Sequence, residues 1–287
     1  MGQLLFDPQV QQYRRDGYLC PVRVLAPEEA ARYRGALEAA EAAAGGSLPG
    51  AYRHKPHLVY TWAQELIRHP KILNAVEALI GPDILAWESV FFIKEPQTTD
   101  YISWHQDITY WGLDQEGDVV TAWLALSPST PESGCMRVVP GTHRREVVAH
   151  KDTFGEHNML SRGQEIAVEV DEDHAVDLVL QPGEMSLHHV KMFHGSHHNR
   201  ARDRRIGFAI RYLPPHVHQQ FGADSATLVR GVDRYGYFEP EPAPARDLDP
   251  QAVALHQALR ERRTAILMRG AAQPSKAAHT AASPSAM

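Results

Sequence analysis

Cysteine is nearly absent from this sequence, with only Cys20 and Cys135 among 287 residues. Two thiols cannot build a disulfide framework, and they exclude a cysteine-based zinc site. No apolar run approaches the length of a membrane span, and the first six residues contain no basic segment of a secretory signal. We therefore expect a soluble, reduced, cytoplasmic protein with no membrane partner.

Positive charge is also scarce, since the formal net charge is -6 and the isoelectric point is near 6.3. Proteins that bind nucleic acid usually show a basic patch or stripe, so this balance gives no support for a nucleic-acid partner. The composition leaves the oligomeric state open.

The middle of the chain has no helical periodicity. From residue 84 to 213, short runs rich in β-branched and aromatic residues alternate with turn residues, which is typical of a mainly β jelly roll or barrel. Helical patterns flank this core at about 7–44, 62–80 and 250–268, and residues 214–245 resemble a loop. We predict one domain over residues 1–269, with the core at about 84–213, and a disordered Ala, Ser and Pro-rich tail at 270–287.

Seventeen histidines are present, and one pattern among them carries chemistry. His105 and Asp107 are two residues apart in an extended stretch, so their side chains point to the same side. Together they supply half of the 2-His-1-carboxylate set that binds non-heme iron. Such a pair also occurs by chance at strand ends, so a third ligand is needed.

The segment 183–199 holds five histidines, and His194 is the candidate because it ends an apolar run just before Gly195 and Ser196. His197 and His198 are expected in an exposed loop. The roles of His188 and His189 stay undecided, although one of them could orient a metal ligand or the co-substrate without binding the metal itself.

The predicted strand Arg205–Leu213 has two different faces. Arg205, Gly207, Ala209 and Arg211 share one face, while the alternate residues are ordinary core. Two arginines separated by small residues predict a cavity with fixed cations, because a bulky side chain between them would fill it.

The order and spacing of several motifs in this chain are more specific than any single motif. His105-x-Asp107, Ser127-x-Ser129 through Gly134-Cys135, residues 139–143, His194-Gly195-Ser196 and Arg205 together resemble the phytanoyl-CoA dioxygenase family of Fe(II)/2-oxoglutarate-dependent oxygenases. The resemblance covers about residues 10–240. It implies a double-stranded β-helix (jelly roll, cupin-like) with flanking N-terminal helices and a C-terminal helix.

The resemblance also implies roles for individual residues. His105, Asp107 and His194 match the iron ligands, and Arg205 matches the clamp for the distal carboxylate of 2-oxoglutarate, which suits a planar guanidinium. The positions expected to contact the co-substrate are Gln106, Trp123 and Ser196. Strand alternation would point Gln106 away from His105, so the strand must twist or end there.

The implied activity uses Fe(II), 2-oxoglutarate and O2 to hydroxylate an unactivated C–H bond, with release of succinate and CO2. A halogenase is disfavoured because it needs a small residue at position 107, where this sequence has an aspartate. A zinc hydrolase has no use for Arg205. A non-catalytic sensor of 2-oxoglutarate or another small acid, and an acyl-CoA hydroxylase of the same family, stay as alternatives.

Substrate contacts are harder to predict than ligands. Candidates for a small polar or anionic substrate are Lys55, Tyr101, Tyr110, Trp111 and Arg211. A CoA ester needs a cluster of cations at the pocket mouth, but residues 101–118 contain no Lys or Arg. We therefore expect a free small molecule, such as a metabolite, as the substrate partner.

Overall fold

A computed structural model describes residues 5–114 and 118–271 of the chain. Four helices precede the β core and one follows it. Proline stands in the first turn of four of them, where its missing N–H has no intrahelical partner to lose. The helices are α1 (Asp7–Asp16), α2 (Pro27–Ala43), α3 (Thr61–Ile67), α4 (Pro70–Ile80) and α5 (Pro250–Leu267).

Thirteen strands of the described chain form the β structure. They are β1 (Tyr18–Arg23), β2 (Ile84–Lys94), β3 (Ile102–His105), β4 (Val120–Ala125), β5 (Met136–Val138), β6 (His150–Asp152), β7 (Gln164–Ile166), β8 (Val176–Leu178), β9 (Glu184–His189), β10 (His194–Ser196), β11 (Arg205–Leu213), β12 (Ser225–Arg230) and β13 (Glu239–Pro240). A seven-stranded sheet has the order β1-β9-β4-β11-β2-β12-β13, and a four-stranded sheet has the order β3-β10-β5-β8. The predicted double-stranded β-helix is confirmed.

The helices cover the outer face of the seven-stranded sheet. Ile206, Phe208 and Ile210 of β11 pack there in one apolar cluster with residues of α2, α3 and α4. The alternate residues of β11 face the four-stranded sheet and line a cavity. All nine residues of β11 are buried because both faces of the strand are covered.

Three sequence expectations need correction or restriction. Residues 214–245 were expected to be loop, but β12 and β13 extend the large sheet there, through β12 pairing with β2. The helical stretch 62–80 is two helices, because Pro70 cannot continue α3 and opens α4 instead. Residues 272–287 of the predicted tail lie outside the described residues. Among the helices of the described chain, none is long and apolar enough to cross a membrane.

The space beside Gly207 is occupied differently from the sequence expectation. We expected the missing side chain to leave a void, but the indole of Trp123 on β4 fills it, and a Cβ at position 207 would lie 1.8 Å from the Trp123 ring. The cavity wall therefore depends on glycine at this position.

We predict that Gly207→Ala lowers the free energy of unfolding by about 1–3 kcal/mol, because the added methyl must displace the packed indole. Gly35→Ala is the matched control, since nothing lies within 4 Å of its Cβ on helix α2 and alanine favours helix. Chemical denaturation of both variants provides the measurement. Equal stability of Gly207→Ala and the unmodified protein would contradict the packing described here.

Candidate metal centre

Three elements bring the candidate ligands together. His105 ends β3, Asp107 begins the short 3-10 turn Asp107–Tyr110, and His194 begins β10. The antiparallel pairing of β10 with β3 sets His194 directly opposite His105. One possible ligand atom from each of the three buried side chains lies within 4.8 Å of the others.

Backbone carbonyls fix which histidine nitrogen is free. His105 Nδ1 lies 2.9 Å from the Ser103 carbonyl oxygen, and His194 Nδ1 lies 3.0 Å from that of Met192. A carbonyl can only accept, so each Nδ1 carries the proton and donates. The lone pair of each Nε2 is therefore free, at 3.4 Å (His105) and 4.0 Å (His194) from the nearer oxygen of Asp107.

The charge states of the cluster suit a cation. Burial alone would raise the pKa of Asp107, but Arg211 and the two histidines hold it well below its usual range. Burial, and then the neighbouring His105, lower the pKa of His194 well below its ordinary value. One carboxylate and two neutral imidazoles are the donor set of the 2-His-1-carboxylate sites.

Arg205 lies in the same cavity with most of its donors free. Its side chain is 1% exposed, and Nη1 donates to the Gly134 carbonyl oxygen at 2.7 Å. Nε and Nη2 have no hydrogen-bond partner among the residues described. Burial lowers its pKa to about 10, so the group stays cationic at neutral pH. A buried cation with unpaired donors is normally matched by an anion, so this cavity is a candidate binding site for one.

The other predicted site residues separate into two groups. Trp123 and Ser196 line the metal cavity, which we define by His105, Asp107, His194 and Arg205. Arg211 lines both this cavity and an adjoining one, the outer cavity, where Tyr110 and Trp111 also lie.

Two residues proposed as substrate contacts lie elsewhere. The Lys55 ammonium is buried in contact with the Glu241 carboxylate and donates to the Ser225 carbonyl oxygen at 2.9 Å. Tyr101 lines another cleft with Trp104, Arg137 and His197, which shares Ile102 and Ser196 with the metal cavity. The fold does not bring either residue to the metal cavity.

Gln106 is held by backbone groups rather than aimed into the cavity. β3 ends at His105, which resolves the conflict with strand alternation. The side-chain nitrogen of Gln106, Nε2, donates to the Lys191 carbonyl oxygen at 3.0 Å. Its side-chain oxygen, Oε1, accepts from the Val148 N–H at 2.9 Å. These bonds tie the metal-binding turn to two loops.

Sequence reasoning missed several cavity residues. His188, left undecided, is buried in the metal cavity, with its ring centroid 4.9 Å from that of His194, and burial lowers its pKa to about 4. His197 and His198 are exposed, as expected. Arg263 comes from α5, fifty residues beyond the end of β11, and no local pattern points to it.

A jelly roll with a buried His-Asp-His cluster defines the class of non-heme metal proteins with a 2-His-1-carboxylate site. The family model described as Phytanoyl-CoA dioxygenase (PhyH) matches residues 13–207, and the chain belongs to this family. The recognition made from the motifs is confirmed.

Curated relatives include a peroxisomal phytanoyl-CoA dioxygenase of Bos taurus, 29% identical over 164 residues, which are 54% of this chain and 48% of the relative. A probable alpha-ketoglutarate-dependent hypophosphite dioxygenase of Stutzerimonas stutzeri is 28% identical over 64% of this chain and 61% of its own. The chain spans about half the length of the bovine relative.

Solved structures give more extensive matches. The non-heme monooxygenase ThoJ, in its apo form, is 37% identical with a TM-score of 0.81, over 91% of this chain and 98% of its own. CytC3 with Fe(II) and alpha-ketoglutarate is 26% identical with a TM-score of 0.65, over 87% of this chain and 97% of its own.

We predict that the protein binds one Fe(II) per chain and that His194→Ala abolishes stoichiometric binding while the fold is retained. The loss should exceed the roughly 10–100-fold drop that follows removal of a hydrogen-bond partner behind a ligand. Anaerobic equilibrium dialysis with metal analysis measures it. His197→Ala, at an exposed histidine three residues away, is the control. Equal iron content in both variants would contradict the assignment.

Proposed function

We propose that this protein is an Fe(II)- and 2-oxoglutarate-dependent oxygenase that hydroxylates an unactivated C–H bond of a small-molecule metabolite. One observation carries the proposal: a buried two-histidine, one-carboxylate cluster shares its cavity with a buried arginine whose Nε and Nη2 lack partners among the described residues. Iron, with 2-oxoglutarate and O2, would supply the oxidising chemistry when bound. Succinate and CO2 would be the products from 2-oxoglutarate.

The metal requires an open side and fixed ligands. The proposed ligands are His105, Asp107 and His194. One Nδ1–H···O=C bond on each imidazole holds its Nε2 toward Asp107. These bonds also prevent the rings from rotating away when metal is absent, so the donor set is already organised.

The co-substrate requires a cation at a distance from the metal. Arg205 offers two free N–H groups that match the two oxygens of a carboxylate. The Trp123 ring, whose centroid lies 5.2 Å from the Arg205 guanidinium, lines the same cavity. Ser196, whose Oγ accepts from the buried Lys94 at 2.7 Å, lies on the same wall.

A free small molecule suits the pocket better than a CoA ester. Lys55, a cation that the sequence offered as a substrate contact, is already neutralised by Glu241. The relative named phytanoyl-CoA dioxygenase supports the acyl-CoA alternative through its name. The buried, paired state of Lys55 argues against it, because a pyrophosphate requires unpaired cations.

Cytoplasmic location belongs to the same proposal. It rests on the low cysteine content, and Cys20 and Cys135 are both free thiols.

We predict that Arg205→Met raises the KM for 2-oxoglutarate steeply, because the mutation removes one partner of a desolvated, charge-assisted pair worth about 2–5 kcal/mol. Succinate release at varied 2-oxoglutarate measures it. Arg202→Met, at an exposed neighbouring arginine, is the control and should leave the KM unchanged. A normal KM in Arg205→Met, with a raised KM in Arg211→Met, would show that the clamp is Arg211.

We predict that the unmodified protein hydroxylates and does not chlorinate in the presence of chloride, because Asp107 occupies the position that a halide would need. Asp107→Ala should lose hydroxylation. Mass spectrometry of the products measures both. A chlorinated product from the unmodified protein would contradict the proposed role of Asp107.

A further inference from the structure

Two buried arginines line the outer cavity, which adjoins the metal cavity. Arg211 comes from β11 and Arg263 from α5, and they are 7% and 8% exposed. Both line the outer cavity, which shares four lining residues with the metal cavity, namely Phe92, Asp107, Leu160 and Arg211. The outer cavity therefore adjoins the metal centre, and Asp107 lies in the wall of both cavities.

Two indole rings hold these arginines in place. The Arg211 guanidinium lies 4.4 Å from the Trp111 ring centroid, and that of Arg263 lies 4.0 Å from the Trp87 centroid. The ring centroids of the two indoles are 5.1 Å apart, and both arginines line the same outer cavity. Stacking on a ring uses the face of a guanidinium and leaves its edge, where the donors are, for a ligand.

Each of these arginines keeps a buried donor without a partner. Nε of Arg211 and Nη1 of Arg263 make no hydrogen bond to any described residue. Buried polar groups are rarely left unpaired, because each costs about 1–3 kcal/mol. Two such donors on adjacent cations indicate an acceptor that arrives with a ligand.

The charges around the two arginines do not balance. Glu88 is the carboxylate in contact with Arg263 Nε. Asp107 lies 3.6 Å from Arg211 Nη2, but its charge is committed to the metal in the proposed function. Arg162 is neutralised by Asp152, with Nε 2.9 Å from the carboxylate. Among the residues that the structure describes, two cations therefore face one available anion, which leaves one positive charge to be matched.

We propose that Arg211 and Arg263 bind the substrate through a carboxylate, so that the substrate is a small monocarboxylic acid. The inference rests on the proposed function and adds the substrate class to it. A single unmatched charge favours a carboxylate over a dianionic phosphonate. Because Arg211 lies against Asp107, the oxidised carbon is expected within a few bonds of the acid group.

The test separates binding from turnover. The protein is loaded with Zn(II), which has no redox chemistry, and with 2-oxoglutarate. Thermal shift and tryptophan fluorescence are then measured with butanoate, hexanoate, 3-phenylpropanoate and N-acetylated amino acids, each beside its primary amide. We expect carboxylates to bind and the matching amides, which have nearly the same shape but no charge, to bind at least tenfold more weakly.

Variants assign the effect to the arginines. Arg263→Gln should lose at least tenfold in carboxylate affinity, and Glu88→Gln should gain affinity because it removes the competing anion. The double variant Glu88→Gln/Arg263→Gln removes this ion pair as a whole and leaves Arg211 as the one unmatched cation, so it tests the loss of the Arg263 donors even if Arg263→Gln is unstable. Arg262→Gln is the control, since Arg262 pairs with Glu239 at the surface.

The outcomes distinguish this inference from the proposed function. Equal binding of acids and amides, no binding of any acid in the panel, or unchanged affinity in Arg263→Gln and the double variant would overturn the inference. Succinate release driven by a neutral compound but no acid would do the same while leaving the oxygenase proposal intact. Arg263-dependent binding of acids with no succinate release from the Fe(II) form would support the carboxylate site and contradict the oxygenase proposal, on which the substrate role of that site rests.

Discussion

One antiparallel register, His194 opposite His105 between β10 and β3, determines whether the candidate metal centre exists. The two rings come within 4.0 Å of each other between centroids, and each is oriented by the carbonyl two residues before it. Since strand alternation has a period of two, a slip of one residue would turn one imidazole to the opposite face. The bonds of Gln106 to the neighbouring loops hold the turn that carries Asp107 against this pair.

The helical layer makes a polar interior possible. Because α2, α3 and α4 pack on the outer face of the seven-stranded sheet, the apolar half of β11 is buried without using the inner face. The inner face can then hold Arg205, Arg211, Thr121 and His188 around a narrow cavity. Charges there are expensive to bury, so their presence indicates ligands that compensate them.

Local patterns predicted the parts of the site that depend on local geometry. The alternation of Arg205 and Arg211 follows from the period of a strand. His105 and Asp107 are joined by Gln106, whose backbone is still extended although β3 has ended. The structure brings all four side chains to one cavity. Lys55 was misjudged because its partner Glu241 is 186 residues away, and no local pattern encodes that contact. Strand β12 was missed because it lies among Pro and aromatic residues, and its pairing with β2 is a tertiary choice.

In the proposed function, the two arginines on β11 serve different ligands for a geometric reason. Their positions differ by six residues, and a strand rises about 3.3 Å per residue, so their backbone positions are about 20 Å apart. Arg211 Nη2 lies 3.6 Å from Asp107. A dicarboxylate held at the metal by one end would have one carboxylate left to pair with one of the two arginines. Arg205, which has no carboxylate partner among the described residues, matches the co-substrate. Arg211, joined by Arg263 on the opposite side, is left for the molecule to be oxidised.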